Sequence, residues 1–287
     1  SGAITLPAKL LGEIVSKLSS QSPVIFQIDE TGETVNLKSK TGSYQVRGIS
    51  ADDYPELPLV ESGKSIKLDS SEFVNSLKAT LFASSNDEAK QLLTGVNLTF
   101  EGSGMEAAAT DGHRLAVCNL KNILESQEHI DEKFNVTLPT RSLREVERFI
   151  LSCKDSDFIN FFSDKGQVVF MASDQIVTTR TLDGVYPNYL QLIPDNFSNQ
   201  FEFNRINFIS ALERVAVLAE QHNNIIKIKA NENSKTVEIL ADAQDVGSGS
   251  ESLPVKINGS LEQIAFNVRY LLEGLKVINS DDIILKC

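Results

Sequence analysis

The sequence predicts an α+β protein built from tandem copies of one unit, with helices on one side of antiparallel sheet. Three observations predict it. Residues 3–18 (AITLPAKLLGEIVSKL) recur as 135–150 (NVTLPTRSLREVERFI), which pairs Thr5 with Thr137, Pro7 with Pro139, Lys9 with Arg141, Leu11 with Leu143 and Glu13 with Glu145. The same offset of 132 returns where 53–57 (DYPEL) meets 185–189 (VYPNY), and a fainter copy at an offset of 128 sets AFNVRYLLEGLKVI (265–278) on the same template. In each copy an amphipathic helix is followed by short alternating or β-branched runs.

A second template, SIKLDSSEFVNSLK (65–78), returns as QFEFNRINFISALE (200–213), so one half of the unit occurs three times and the other twice. A period near 130 is domain-sized, far above the roughly 20–50 residues of solenoids and propellers. The expected domains are 1–64, the second half of a first unit; 65–195, a complete second unit; and 196–287, a third unit without its last strands. Pro, Ser and charge gather near the breaks, at 58–65 (PLVESGKS) and 194–199 (PDNFSN), whereas 243–252 (AQDVGSGSES) reads as a flexible connection within a domain.

Helices are expected at 7–19, 70–83, 139–154, 204–219 and 267–279. Pro7 and Pro139 suit a first turn, where a missing N–H has no helical partner to lose. Asp69 with Glu72 three residues on is a capping pattern, and Asn204 can cap the equivalent helix. The strand runs are VIFQID, TVNLKS and SYQVRGI, then VNLTF and HRLAVCNL, then FINFFS, QVVFMA and IVTTRTL, and finally IIKIKA and TVEILA.

At about 100° per residue, Leu143, Val146, Phe149 and Ile150 share one face of the helix over 139–154, and Arg141, Arg144 and Arg148 share the opposite face. Lys9, Arg269 and Lys276 stand at equivalent places in the sister helices. The net charge of −12 argues against a polyanionic partner, but its distribution argues the other way. Of 27 Lys/Arg and 39 Asp/Glu, the five helices hold 11 and 6, so the helices are basic and the remainder acidic. Cations on helix faces without base-reading side chains suit the backbone of duplex DNA, bound without sequence preference.

Other classes fare less well. Cys118, Cys153 and Cys287 are far apart and form no CxxC pair, which leaves neither a disulfide framework nor a zinc site and points to a reducing cytoplasm. No apolar run approaches the roughly 20 residues of a membrane span. In an enzyme Asp111 and His113 would be read as an acid–base pair, yet only three histidines are present and no nucleophile motif accompanies them. Gly63-Lys64-Ser65 fails the phosphate-loop pattern because Pro58 stands where glycine is required. The pattern calls for no metal and no cofactor. A protein-interaction scaffold without DNA is the alternative.

The segment AAATDGHRLAVCNL (107–120) resembles the bacterial sliding clamp, the beta subunit of DNA polymerase III; DGVYPNY (183–189), the two TLP helices and FNVRYLL (266–272) support the likeness, which runs from end to end. The resemblance implies a non-catalytic, cytoplasmic processivity factor of replication. It implies three clamp domains per subunit and a head-to-tail homodimer closing a ring around duplex DNA, with helices lining the hole. It also implies a groove for short linear peptides from the polymerase III alpha subunit, the clamp loader, other polymerases and repair proteins. Carried over by position, the groove comprises Leu93, Thr110, Gly112, His113, Arg114, Leu115, Pro187, Leu192, Asn267 and Tyr270. The DNA-facing set becomes Lys9, Lys90, Gln91, Arg141, Arg144, Arg148, Arg269 and Lys276, and the dimer contacts Tyr44 and Val46 against Val217 and Leu218. Gln91 and Lys90 enter this set as a loop before Leu93. Gln191 departs from the family, which often has arginine there. The family's subunits also extend beyond this chain at both ends.

Overall fold

The computed structural model describes residues 2–19, 22–55, 63–125, 128–153, 156–221, 223–231, 235–243, 246–259 and 263–287. The chain divides into two units, Ser1–Leu59 and Val60–Cys287.

The first unit contains β1 (Ile4–Thr5), α1 (Ala8–Ser16), β2 (Ile25–Ile28), β3 (Thr34–Lys38), β4 (Ser43–Arg47) and β5 (Ile49–Ser50). β2, β3 and β4 form an antiparallel sheet in that order, and β1 pairs with β5. Val35, Leu37 and Val46 are its buried core, with Leu6, Leu11 and Ile14 packed against them. α1 has no fully buried residue and no side-chain cap. Val46, expected at a subunit contact, is only 2% exposed, because its side chain alternates inward beside Val35, its cross-strand partner. Its neighbour by two, Tyr44, is 44% exposed. At the surface the Val46 position therefore offers backbone and no side chain.

The second unit opens with β6 (Lys64–Asp69), α2 (Ser70–Thr80), β7 (Gly95–Gly102), β8 (Gly104–Thr110) and β9 (Leu115–Leu120). A second half repeats the order as β10 (Ile130–Pro139), α3 (Thr140–Ser152), β11 (Phe158–Asp164), β12 (Gln167–Ala172) and β13 (Gln175–Arg180). The halves exchange their first strands: the sheets run β10-β7-β8-β9 and β13-β12-β11-β6. Phe100 and Phe161, from different halves, meet at 5.1 Å, and Phe161 meets Phe170 edge-on at 5.4 Å. Leu143, Val146, Phe149 and Ile150 of α3 are buried in this core as the periodicity requires, at roughly 1.5–3 kcal/mol each.

The same scheme follows in β14 (Gln200–Asn204), α4 (Arg205–Ala219), β15 (Ile225–Asn231), β16 (Thr236–Ala243), β17 (Gly247–Pro254), β18 (Lys256–Asn258), β19 (Gln263–Asn267), α5 (Val268–Val277) and β20 (Asp282–Lys286). Here too β19 joins β17-β16-β15, and β14 lies between β18 and β20. Phe203 and Phe208 stack at 4.2 Å in its core.

Several expectations are corrected. The segment read as a flexible connection over 243–252 supplies β17, paired with β16 from Thr236↔Pro254 to Ala243↔Gly247; a ladder uses backbone groups, so a Gly/Ser sequence can enter it. Residues 244 and 245 of that segment lie outside the described residues. Pro7 and Pro139 occupy N-cap positions rather than the first turn, and Pro139 still pairs with Gly95 as the end of β10. The helices are shorter than expected by one to three residues at their ends, and 81–83 continues α2 as a 3-10 turn. The capping expectations hold: Asp69 accepts from the Glu72 N–H at 2.9 Å and Asn204 from the Asn207 N–H at 3.1 Å.

Candidate functional site

Two surfaces of the second unit carry most of the expected site residues, and Lys9, Tyr44 and Val46 belong to the first unit. The first is the turn between β8 and β9, closed by the pair Thr110↔Leu115. Asp111 organises it: one carboxylate oxygen accepts the His113 and Arg114 N–H groups at 2.9 and 3.0 Å, and the other accepts Arg114 Nε at 3.1 Å. Burial alone pushes the Asp111 carboxyl up, but these donors and the guanidinium charge outweigh it and hold it below the ordinary carboxylate range. Gly112 sits at φ +94°, a conformation L side chains rarely adopt, and its N–H donates to Thr110 Oγ1 at 3.0 Å. Thr110 Oγ1 in turn donates to the Arg114 carbonyl at 2.6 Å.

Arg114 ties this turn to the third repeat. Its guanidinium donates to the Phe82 carbonyl at 2.7 Å, pairs with Glu273 of α5, and lies 4.5 Å from the Tyr270 ring centroid. Phe82 packs on the same cation at 5.3 Å. Tyr270 follows the N-cap Asn267, whose side chain accepts the Arg269 and Tyr270 N–H groups. The Asn267 side-chain oxygen is therefore engaged in holding α5.

Tyr186 Oη accepts the Thr110 N–H at 3.1 Å, which brings the DGVYPNY segment against the turn. Burial pushes the Tyr186 phenol up to about 12. Burial likewise raises Tyr189, whose hydroxyl bonds Glu106, so both rings stay neutral near neutral pH. Pro187 is exposed next to Tyr186, Leu192 is 76% exposed, and Leu93 is half-buried. His113 and Gly112 are exposed on the turn, and a side chain at Gly112 would meet Lys90 Nζ at 3.8 Å. The structure thus gathers Thr110, Gly112, His113, Arg114, Leu115 and Tyr270, with Lys90 at the border. Phe82, Glu273 and Tyr186 belong to the same arrangement. No local motif marks Phe82 or Glu273, although the glutamate stands where the repeats place Glu13 and Glu145.

The second surface is formed by helix faces. Arg141, Arg144 and Arg148 are exposed on α3, opposite its buried residues. A cleft of about 620 Å³ brings Arg141, Arg144 and Gln91 together with Ser84, Ser85 and Thr140. Most cations are not bare: Arg141 lies 3.4 Å from Glu88, Arg148 2.6 Å from Glu145, Arg269 3.5 Å from Glu220 and Lys276 2.7 Å from Glu213. Exposed pairs of this kind contribute about 0–1 kcal/mol, so a phosphate can take the carboxylate's place. Among the described residues Arg144, Lys90 and, on α1, Lys9 have no carboxylate within ion-pair distance. Val217 and Leu218 lie on α4, Val217 exposed and Leu218 half-buried.

Comparison with known proteins agrees with the motifs. The family described as DNA polymerase III beta subunit, central domain, matches residues 67–188, and its C-terminal domain matches 190–287. A beta sliding clamp of Synechococcus elongatus is 49% identical over 99% of this chain and 74% of its own length. That of Bacillus subtilis is 31% identical over 98% of this chain and 73% of its own. The crystal structure of the B. subtilis DNA polymerase sliding clamp superposes with a TM-score of 0.89 at 30% identity, covering 99% of this chain and 73% of that one. With the repeats, the strand exchange and the Thr110–Leu115 turn all in place, the chain belongs to the beta sliding clamp family, the non-catalytic beta subunit of DNA polymerase III.

Proposed function

We infer that this chain is a processivity factor of DNA replication: it holds duplex DNA without reading its sequence and keeps a polymerase close to it. The observation that carries this reading is the 49% identity over nearly the whole chain to a beta sliding clamp. The physical advantage is one of effective concentration, since a polymerase tethered to a sliding body meets the primer end again without diffusing back from solution.

We further propose three domains, 1–64, 65–195 and 196–287, and a homodimeric ring in the cytoplasm. Tyr44 and the backbone edge at Val46 would meet Val217 and Leu218 of a second copy. Lys9, Lys90, Gln91, Arg141, Arg144, Arg148, Arg269 and Lys276 would face the duplex. The turn 110–115, with Leu93, Pro187, Leu192, Asn267 and Tyr270, would receive linear peptides from the polymerase alpha subunit, the clamp loader and other polymerases and repair proteins. Apolar walls for Leu or Phe anchors beside a few fixed polar groups suit that ligand class.

Retention on DNA circles tests the reading. The complete protein, once loaded, is expected to stay on circular duplex and to leave when the circle is cut. Equal loss from circles and linear DNA would defeat the topological clamp. Replacing His113 and Leu115 with Ala should weaken binding of a polymerase-derived peptide in calorimetry at least tenfold while sedimentation of the protein stays unchanged.

A further inference from the structure

Every nitrogen of Arg114 has an acceptor within the protein itself. Nε holds Asp111 in its own turn, one terminal nitrogen donates to the Phe82 carbonyl at 2.7 Å, and the other pairs with Glu273 of α5. The Arg114 side chain is only 17% exposed. A bound peptide therefore meets this cation chiefly through what it carries, and it carries the Tyr270 ring, whose centroid is 4.5 Å from Cζ.

Tyr270 and Glu273 stand three residues apart on α5, so they share one face of that helix. Phe82, in the 3-10 turn after α2, packs on the same cation at 5.3 Å, and a side chain at Gly274 of α5 would meet its ring at 3.8 Å. One guanidinium thus joins an aromatic ring of the second repeat to one of the third. A cation over a ring face tolerates sliding, whereas a charged hydrogen bond fixes direction. Of the two carboxylates that meet Arg114 among the described residues, Asp111 belongs to the same turn, so the directional link to α5 falls to Glu273. Glu213 offers the contrast. It is 49% exposed, as is Glu273, and it too ties α5, but its partner Lys276 is 54% exposed where Arg114 is 17%. The shielded pair is the stronger because less solvent screens it.

We propose that Glu273 is a positioning residue of the peptide groove: by pinning Arg114 to α5 it fixes the face that the Tyr270 ring presents to a bound peptide. This role rests on the peptide-groove reading above, and two readouts separate the one from the other. Affinity is measured by fluorescence anisotropy with the whole chain and a labelled linear peptide from the polymerase alpha subunit. Ring placement is measured in the free protein by NMR of isotope-labelled tyrosines, with Y270F assigning the resonance. E273Q keeps the shape and an acceptor oxygen but loses the charge; it is expected to weaken peptide binding about fivefold and to shift the Tyr270 resonance before any peptide is added. E273D, which keeps the charge on a shorter side chain, should recover part of both effects. E213Q, the same charge change at equal exposure, should alter neither. Circular dichroism melts check that E273Q is folded, and R114K, with one nitrogen for three acceptors, must reproduce both effects. Unchanged affinity in E273Q while wild type binds overturns the role and leaves the groove standing. Weakened affinity with an unmoved Tyr270 resonance also overturns it, because Glu273 then touches the peptide directly. So does an equal loss in E213Q, or an R114K variant with wild-type affinity and an unmoved ring. A wild type that does not bind the peptide removes the groove reading and the positioning role with it.

Discussion

α1 and α3 are copies of one sequence element with different fates. α3 buries Leu143, Val146, Phe149 and Ile150, whereas α1, with Leu11 and Ile14 at repeat-equivalent places, buries no residue fully and leaves Leu10 and Val15 exposed. The difference lies in what surrounds them. α3 packs beside α2 over a core fed by two sheets that exchange strands, and α1 lies over a single small core of Val35, Leu37 and Val46. An amphipathic pattern thus specifies which face a helix will bury, and the neighbours decide how deeply it does so.

The most forceful test of this contrast is truncation at the paired leucines. Leu143→Ala should destabilise the second unit by about 2–5 kcal/mol, and Leu11→Ala should cost its own unit roughly 1 kcal/mol. Hydrogen exchange resolved by peptide, read alongside urea unfolding, assigns each loss to its unit. Equal losses would mean that the shallow burial of α1 misrepresents its packing.

Capping gives a smaller effect on the same axis. α2 begins with Asp69 bonded to the Glu72 N–H, so Asp69→Ala should cost about 1 kcal/mol in urea unfolding. α1 begins at Pro7 with no side-chain cap, so Pro7→Ala removes no such bond and should change stability by much less. A cap-sized loss at Pro7 would show that α1 is held at its start by something other than its apolar face.

The smallest effect is a pH dependence. Asp111 in the second unit and Asp29 in the first are both held below the ordinary carboxylate range: desolvation raises each, and hydrogen-bond donors outweigh it, the Thr31 hydroxyl and backbone N–H groups at Asp29 and the His113 and Arg114 groups at Asp111. A depressed folded value means the unfolded chain takes up the proton first as pH falls. The contribution is therefore complete above the unfolded value of 3.8 and is lost as pH falls through the lower folded one. The stability gap between wild type and Asp111→Asn should narrow on moving from pH 7 to pH 3 in urea unfolding. Asp29→Asn should show a weaker version, because Asp29 is more open to solvent screening. A gap at Asp111 that stays constant with pH would remove the carboxylate charge from the forces that hold the turn.

Much of the architecture was legible in the amino-acid order because it is repeated and periodic. The helices, their apolar faces and the Asp69 and Asn204 caps depend on residues three or four apart. Strand membership was less legible. β10 starts in a charged stretch, Ile130 to Lys133, without clean alternation, and β17 is mostly Gly and Ser. Each is a strand because a partner ladder is available to it. Which sheet receives β6 or β10 depends on pairing across the whole repeat, which no local pattern encodes. At the site, the turn around Asp111 could be read from its motif, but the contacts of Arg114 with Phe82 and Glu273 span 32 and 159 residues. Val46 shows the opposite limit: a position can lie on an outer strand while its side chain points inward.

The exchange of first strands has a mechanical consequence. Because β6 completes the sheet of the following half and β10 that of the preceding one, a nick between β9 and β10 would leave two interlocked fragments. Pulling them apart would strip a border strand from both sheets at once, so the repeat resists being opened like a hinge and behaves as a rigid link.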